Sequence, residues 1–196
     1  MVAAILLAGG ESRRMGKPKP LLEWGGTSLI EYQLAELEAC PIDETIVVLG
    51  HRAEEVLAHV QGAGRRVIIN EQYRRGRASS LRLAAATLPD DTEAVVILSV
   101  DQPRPRAMIA ALVEAHLAQG NLITAPTYRG RRGHPPVLSG RLLPELREVD
   151  EETQGLREVI RRHAAEVAEV SFDNPAVLVD INEPGEYNKA RASYSP

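Results

Sequence analysis

Four cations and three glycines crowd a stretch of thirteen residues, Leu7 to Lys19. Gly9 and Gly10 leave the backbone bare, so N–H groups can close on phosphate oxygens without a Cβ in the way, and a row of such groups forms an anion nest. Arg14, Lys17 and Lys19 add positive charge to it. Two familiar phosphate loops are excluded. A P-loop has four residues between its glycines and then Lys-Ser/Thr, whereas five residues separate Gly10 from Gly16 here and Pro18 follows Lys17. The Gly-x-Gly-x-x-Gly fingerprint is absent, which argues against a Rossmann dehydrogenase. A plain strand-to-helix turn needs neither this length nor this charge.

Three further segments carry candidate chemistry. Asp101 follows the apolar run Ala94 to Val100, where a hard oxygen ligand can hold Mg²⁺ against a phosphate; capping of the next helix is the competing role. Asn70 both donates and accepts, and Ser79 or Ser80 at a helix start can pair with the edge of a base; a strand-end turn with an N-cap serine is the alternative. His134 lies between Gly133 and Pro135 in a loop with Arg129, Arg131 and Arg132, donors suited to a phosphate; a solvent-exposed histidine of no special role is the alternative. The remaining basic residues, among them Arg74, Arg75 and Arg77, read as solvated surface.

These residues need elements to hold them at strand ends. Apolar runs at Val2–Ala8, Thr45–Leu49, Arg66–Asn70, Ala94–Val100 and Leu122–Ala125 predict strands. Helical patterns alternate with them, over 28–39 (with Ser28 and Glu31 spaced as a capping box), 53–60, 79–87 and 105–118. The rhythm breaks at Pro126–Pro136, which reads as a mobile loop, with a strand resuming over 136–138. Helices near 141–147 and 154–163, strands at 167–172 and 176–179, and a closing helix 184–192 with Pro184 at its first position complete the chain. Strand–helix alternation with short links predicts a Rossmann-like three-layer α/β/α fold on a mostly parallel sheet, in one domain over residues 1–196. In such a sheet ligands bind beyond the carboxyl ends of the strands, where Gly9, Gly10, Asn70 and Asp101 all fall.

Composition sets outer bounds. Aromatic residues are only 4% of the chain, so the core is aliphatic and offers no stacking platform for single strands. A net charge of −4 gives no electrostatic case for nucleic acid. The lone Cys40 makes no internal disulfide, which points to a reducing cytoplasm, and Val2–Ala8 is too short to span a membrane.

The run Leu-Ala-Gly-Gly-x-Ser-x-Arg-Met-Gly-x-x-Lys, from Leu7 to Lys19, resembles the signature of the MobA-like nucleotidyltransferases. The likeness continues through Asn70-x5-Gly76-x2-Ser79-Ser80, Ser99-Val-Asp101-Gln-Pro103, Gly133-His134-Pro135 and Val179-Asp180-Ile-Asn182-Glu183-Pro184, where Glu183 replaces the usual Thr. It implies a magnesium-dependent transfer of NMP from a nucleoside triphosphate to the terminal phosphate of a molybdopterin-type acceptor. The resemblance assigns Leu7, Ala8, Gly9, Gly10, Ser12, Arg14, Met15, Gly16 and Lys19 to the triphosphate, with Lys19, Arg14 and Asp101 catalytic. It assigns Asn70, Gly76, Ser79 and Ser80 to the base, Asp101 and Asp180 (or Asn182) to the metal, and Gly133, His134 and Pro135 to the acceptor. Leu7–Gly10 looks like the guanylyltransferases, whereas the Gly133 and Asn70–Leu81 segments look like the cytidylyltransferase branch, so CTP is favoured over GTP. A molybdoenzyme or its chaperone is the implied protein partner. A sugar- or alcohol-phosphate nucleotidyltransferase and a non-catalytic nucleotide-binding module are the alternatives, and no second domain for a sugar nucleotide is expected.

Overall fold

A computed structural model describes residues 1–193. In chain order it comprises β1 (Val2–Ala8), β2 (Glu23–Trp24), β3 (Thr27–Ser28), α1 (Leu29–Glu38), β4 (Glu44–Leu49), α2 (Ala53–Leu57), β5 (Arg65–Ile69) and α3 (Arg77–Ala85). There follow β6 (Ala94–Ser99), α4 (Arg106–Gln119), β7 (Ile123–Tyr128), β8 (Arg131–Arg132), β9 (Val137–Ser139), α5 (Leu143–Leu146), α6 (Leu156–Arg162), β10 (Val167–Ser171) and α7 (Pro184–Ser193).

The main sheet runs β10-β7-β9-β6-β1-β4-β5, with β8 hydrogen-bonded to β7. β1 is buried at every residue and pairs in parallel with both β4 and β6. Pairing on both sides and burial on both faces is why the run is continuously apolar rather than alternating. Side chains still alternate between faces. Ala4 and Leu6 join one aliphatic cluster with Leu34 of α1, Val56 of α2 and Leu112 of α4. Ala3, Ile5 and Leu7 join another with Leu81 of α3, Leu146 of α5 and Val159 of α6. The result is the expected three-layer fold, with β8 and β9 the antiparallel exceptions in the main sheet. No helix among the described residues is long and apolar enough to cross a membrane.

Three segments differ from their sequence reading. The stretch 126–136 is not a loose loop: β7 continues through Pro126 and turns at Arg129 and Gly130, both at positive φ, into β8. The stretch 176–179 is a 3-10 turn over Pro175–Leu178, because Pro175 starts it and the Asn174 side chain accepts from the Ala176 N–H. A small antiparallel hairpin, β2–β3, bends at Gly25 and Gly26 before α1.

The capping box forms as read. Ser28 Oγ accepts from the Glu31 N–H, and Glu31 Oε2 accepts from the Ser28 N–H at 2.8 Å. The Ser28 hydroxyl, helped by its backbone N–H, holds the Glu31 carboxyl below its ordinary 4.5. A lowered carboxylate pKa contributes stability that is present above pH 4.5 and lost as pH falls through the lowered value. Ser28→Ala should therefore cost about 1 kcal/mol near neutral pH. The difference between urea melts of the two proteins should narrow in acid to the part due to the Glu31 N–H bond to Ser28 Oγ, and a difference constant with pH would remove the hydroxyl–carboxylate contact from the cap.

Candidate active site

The ends of β1, β4 and β6 converge on one side of the sheet. Gly9 and Gly50, each one residue beyond its strand, approach so closely that a Cβ on Gly50 would meet Gly9 O at 2.8 Å and Tyr73 Cβ at 2.7 Å. That contact fixes the path of the following loop. Ser12 takes a left-handed conformation, and its Oγ accepts from the Lys19 N–H at 3.0 Å, so the loop folds back on itself. Around it opens a cavity of about 380 Å³, lined by residues from Leu7 to Arg14, by Lys19, Gly76, Arg77 and Ser80, and by Asp101 and Asn182.

Lys19 is the centre of this cavity. Its Nζ donates to Asp101 Oδ2 at 2.8 Å and to Asn182 Oδ1 at 2.9 Å, joining residues from three distant parts of the chain. Asp101 Oδ1 is buried without a hydrogen-bond partner; Arg77 lies 3.7 Å from it. The other loop cations meet carboxylates of the chain itself. Arg14 bonds Glu183 at 2.8 Å, and Glu11 lies between Arg13 and Arg74.

A second cavity of about 540 Å³ adjoins the first. Leu7, Arg77 and Ser99 line both. Its floor is aliphatic, with Leu81, Ile97, Leu156 and Ile160, and its polar edge carries Gln102, His134, Gln154, Arg157 and Asp180. Glu151 closes one side, and its Oε2 accepts from the Ala78 N–H at 2.8 Å. The carboxylate packs where a Cβ on Gly76 would stand. The loop ahead of α6 is thereby tied to the start of α3. Packed surroundings first, and the Asp101 charge second, push the Asp180 carboxyl above its ordinary range, against Arg77, Lys19 and a hydrogen bond from Asn182.

Arg104 lies beneath both cavities with no exposed surface. Its guanidinium donates to the carbonyls of Pro103, His134, Val177 and Val179 at 2.8 to 3.0 Å. These carbonyls belong to the Asp101 loop, the His134 loop and the segment entering Asp180. Burial pulls its pKa down to about 9, opposed by the charges of Asp180 and Asp101, so it stays cationic near neutrality.

Several residues selected from the sequence stand in the first cavity: Leu7, Ala8, Gly9, Gly10, Ser12, Arg14, Lys19, Gly76, Ser80 and Asp101. Asp180 and His134 stand in the second. Others stand behind the walls. Met15 packs against the core, and Gly16, at φ +67°, turns the loop. Asn70 spends both amide N–H groups on Ser79 Oγ and Ser80 Oγ, and its Oδ1 accepts from Gln72 N–H. Ser79 donates to Gly76 O. Asn70 and Ser79 therefore shape the wall and do not face the cavity. Gly133 lies so close to Val177 that a Cβ on it would collide with the Val177 carbonyl oxygen; the His134–Pro135 bond is cis. Arg129 stacks on Tyr128 and Arg132 pairs with Glu169, away from both cavities. Arg77, Arg104, Glu151 and Arg157 carry no motif, and sequence spacing alone does not select them.

The donor set suits a small hard cation. Two carboxylates, Asp101 with a buried oxygen that has no hydrogen-bond partner among the described residues and Asp180, match Mg²⁺ or Mn²⁺, which take few protein ligands and complete their shell with phosphates and water. Among the described residues no cluster of three or more acidic, His or Cys side chains forms a self-sufficient metal cage.

The family model of the MobA-like NTP transferase domain matches residues 4–167, and the chain belongs to that family of nucleotidyltransferases. The bifunctional IPC transferase and DIPP synthase of Rubrobacter xylanophilus is 41% identical over half of this chain, which spans 23% of that protein's length. The nicotine blue oxidoreductase of Paenarthrobacter nicotinovorans is 28% identical over 82% of each chain. The crystal structure of an Rv0371c homologue from Mycobacterium sp. strain JC1 superposes with a TM-score of 0.83 at 30% identity, covering 98% of this chain and 96% of that one. Rv0371c of Mycobacterium tuberculosis, at 25% identity, 97% coverage of both chains and a TM-score of 0.80, was crystallised with manganese.

Two outcomes follow from the buried groups. Arg104→Met strands several carbonyls and should cost about 3 kcal/mol or more. Arg104→Lys, with three donors for four acceptors, should recover only part of that loss in urea denaturation. A loss below about 1 kcal/mol for the methionine variant would remove Arg104 from this role. His134, chiefly through burial, and then through Arg104 and Arg77, is pushed down to about 4. His116 is pushed to the same value by burial and Arg141. The unfolded chain takes up these protons from 6.5 downward and the folded one does not, so stability held above pH 6.5 falls as pH drops toward 4. His134→Gln should flatten that fall, measured by melts across the interval; an unchanged slope would contradict it.

Proposed function

We propose that this MobA-like family member transfers an NMP, CMP in preference to GMP, from the triphosphate to the terminal phosphate of molybdopterin or molybdenum cofactor, releasing pyrophosphate. The observation that carries this reading is the Lys19 ammonium bound to Asp101 and Asn182 beside the junction of two cavities. One cavity has the glycine loop and cations suited to a triphosphate, and the other has room for a second substrate. Binding to either alone requires no such junction.

The acceptor's phosphate oxygen attacks the α-phosphorus, and pyrophosphate leaves in line with no covalent enzyme intermediate. Catalysis is positioning and charge neutralisation. Backbone N–H groups near Gly10, with Arg14 and Lys19, stabilise the leaving pyrophosphate. Asp101 and Asp180 are the carboxylates that would hold Mg²⁺, which would supply further charge neutralisation at the phosphates. His134, neutral at pH 7, offers a hydrogen bond to the acceptor; Arg157 supplies a cation on that side.

The second cavity favours a flat heterocycle over a polyol. Its floor of Leu81, Ile97, Leu156 and Ile160 can cover the face of a ring system while Gln102, Gln154 and Arg157 meet its edge. A polyol phosphate needs a polar partner for each hydroxyl. The cytidine preference follows the likeness of Gly133-His134-Pro135 to the cytidylyltransferase branch. Ser80 and the backbone around Gly10 and Gly76 are the groups left to read the base, since Asn70 is committed inward.

The test is pyrophosphate release from ATP, CTP, GTP and UTP with molybdenum cofactor as acceptor and Mg²⁺ present. Release with CTP, lost about 100-fold or more in kcat on Lys19→Ala, supports the reading. Release with sugar or alcohol phosphates alone moves the acceptor to that class. Binding without release with any acceptor leaves a non-catalytic module.

A further inference from the structure

Among the described residues, Arg77 is the one charged residue that lines both cavities. It opens α3 immediately after Gly76, whose φ of 98° turns the chain at that point. Glu151 packs against Gly76 and accepts from the Ala78 N–H, so the backbone on either side of Arg77 is fixed. The side chain itself is held loosely. It is 52% exposed, and its terminal nitrogen stands 3.7 Å from Asp101 Oδ1, beyond hydrogen-bond distance. Every other cation near the junction is on one side or already engaged. Lys19, Arg13 and Arg14 line the first cavity and bond Asp101, Glu11 and Glu183. Arg157 lines only the second.

We propose that Arg77 is a further catalytic residue, whose guanidinium contacts the α-phosphate and the acceptor phosphate together at the junction of the cavities. The inference rests on the assignment of the first cavity to a nucleoside triphosphate and the second to a phosphate acceptor. A new bond forms between an acceptor oxygen and the α-phosphorus. The bond from that phosphorus to the β-bridging oxygen breaks, and the electron pair leaves on pyrophosphate. Two anionic phosphates must come within bonding distance for this to happen. A planar fork of donors reaching both offsets their repulsion and aligns them, which an ammonium as a point charge does less well. Because the leaving pyrophosphate meets Gly10, Arg14 and Lys19 instead, Arg77 acts on the two reacting phosphates and not on the leaving group.

That separation is measurable without an acceptor. Calorimetric titration of wild type, Arg77→Met and Arg77→Lys with Mg·CTP, Mg·GTP and Mg·pyrophosphate reads the α-phosphate contact apart from the pyrophosphate contacts. The methionine variant should bind the preferred triphosphate about tenfold more weakly, the lysine variant less so, and pyrophosphate within about twofold of wild type. With the acceptor that turns over, kcat of the methionine variant should fall about 100-fold. Equal weakening of triphosphate and pyrophosphate would place Arg77 on the leaving group, and no weakening of either would remove it from the site; each overturns the proposal. Failure of molybdenum cofactor as acceptor sinks the acceptor assignment and leaves the binding comparison readable. A wild-type chain that binds neither ligand sinks both.

Discussion

A guanidinium with no exposed surface and no carboxylate in contact holds the site together. Arg104 meets only carbonyl oxygens, and these belong to the three loops that carry Asp101, His134 and Asp180. Arginine suits the place because its planar fork offers five donors in fixed directions, enough for four acceptors spread around it. Neighbouring contacts follow the same seam. Ile181 N–H donates to Asp101 O at 2.8 Å, and His134 N–H donates to Val177 O. Gly133 lets the His134 loop lie against Val177 with no side chain between them. The burial cost of the charge is offset by carbonyl dipoles and by the through-space attraction of Asp101 and Asp180.

A second tie links the two sides of the site from above. Glu151, ahead of α6, accepts from the start of α3 and fills the space beside Gly76, so the walls of the two cavities share one hydrogen bond. Gln33, fully buried on α1, donates to Ser99 O and Val100 O and fixes the end of β6 just before Asp101. The side chains that face substrate therefore rest on backbone held from several directions, which keeps them in register.

What could be read from the sequence was local. The glycine loop, the strand ends and the Ser28–Glu31 box depend on residues a few positions apart, and their spacing states the chemistry directly. The place of Asp101 was local in the same way: it follows β6 directly, which brings it to the first cavity, while its spacing alone left a capping role equally open. Arg104 was not, because its four acceptors lie up to 75 residues away and are backbone atoms, which no side-chain pattern announces. Asn70 illustrates the opposite difficulty. Its polarity suggested recognition, but a buried amide must satisfy its own donors first, and Ser79 and Ser80 take both. The 176–179 segment has the apolar content of a strand, yet Pro175 and the Asn174 side chain wind it into a turn.

The carboxylates already paired with the loop cations have a consequence for selectivity. Glu11 with Arg13 and Arg74, Glu183 with Arg14, and Asp101 with Lys19 make the cradle an ion exchanger loaded with counter-ions of its own. An entering anion does not meet bare positive charge; it must trade places with several tethered acids. A lone monovalent ion can displace only one of them and gains little by doing so. A polyphosphate chain, the ligand proposed for this cradle, would displace them together, and the tethered acids would stay beside the cradle, ready to return once the chain leaves.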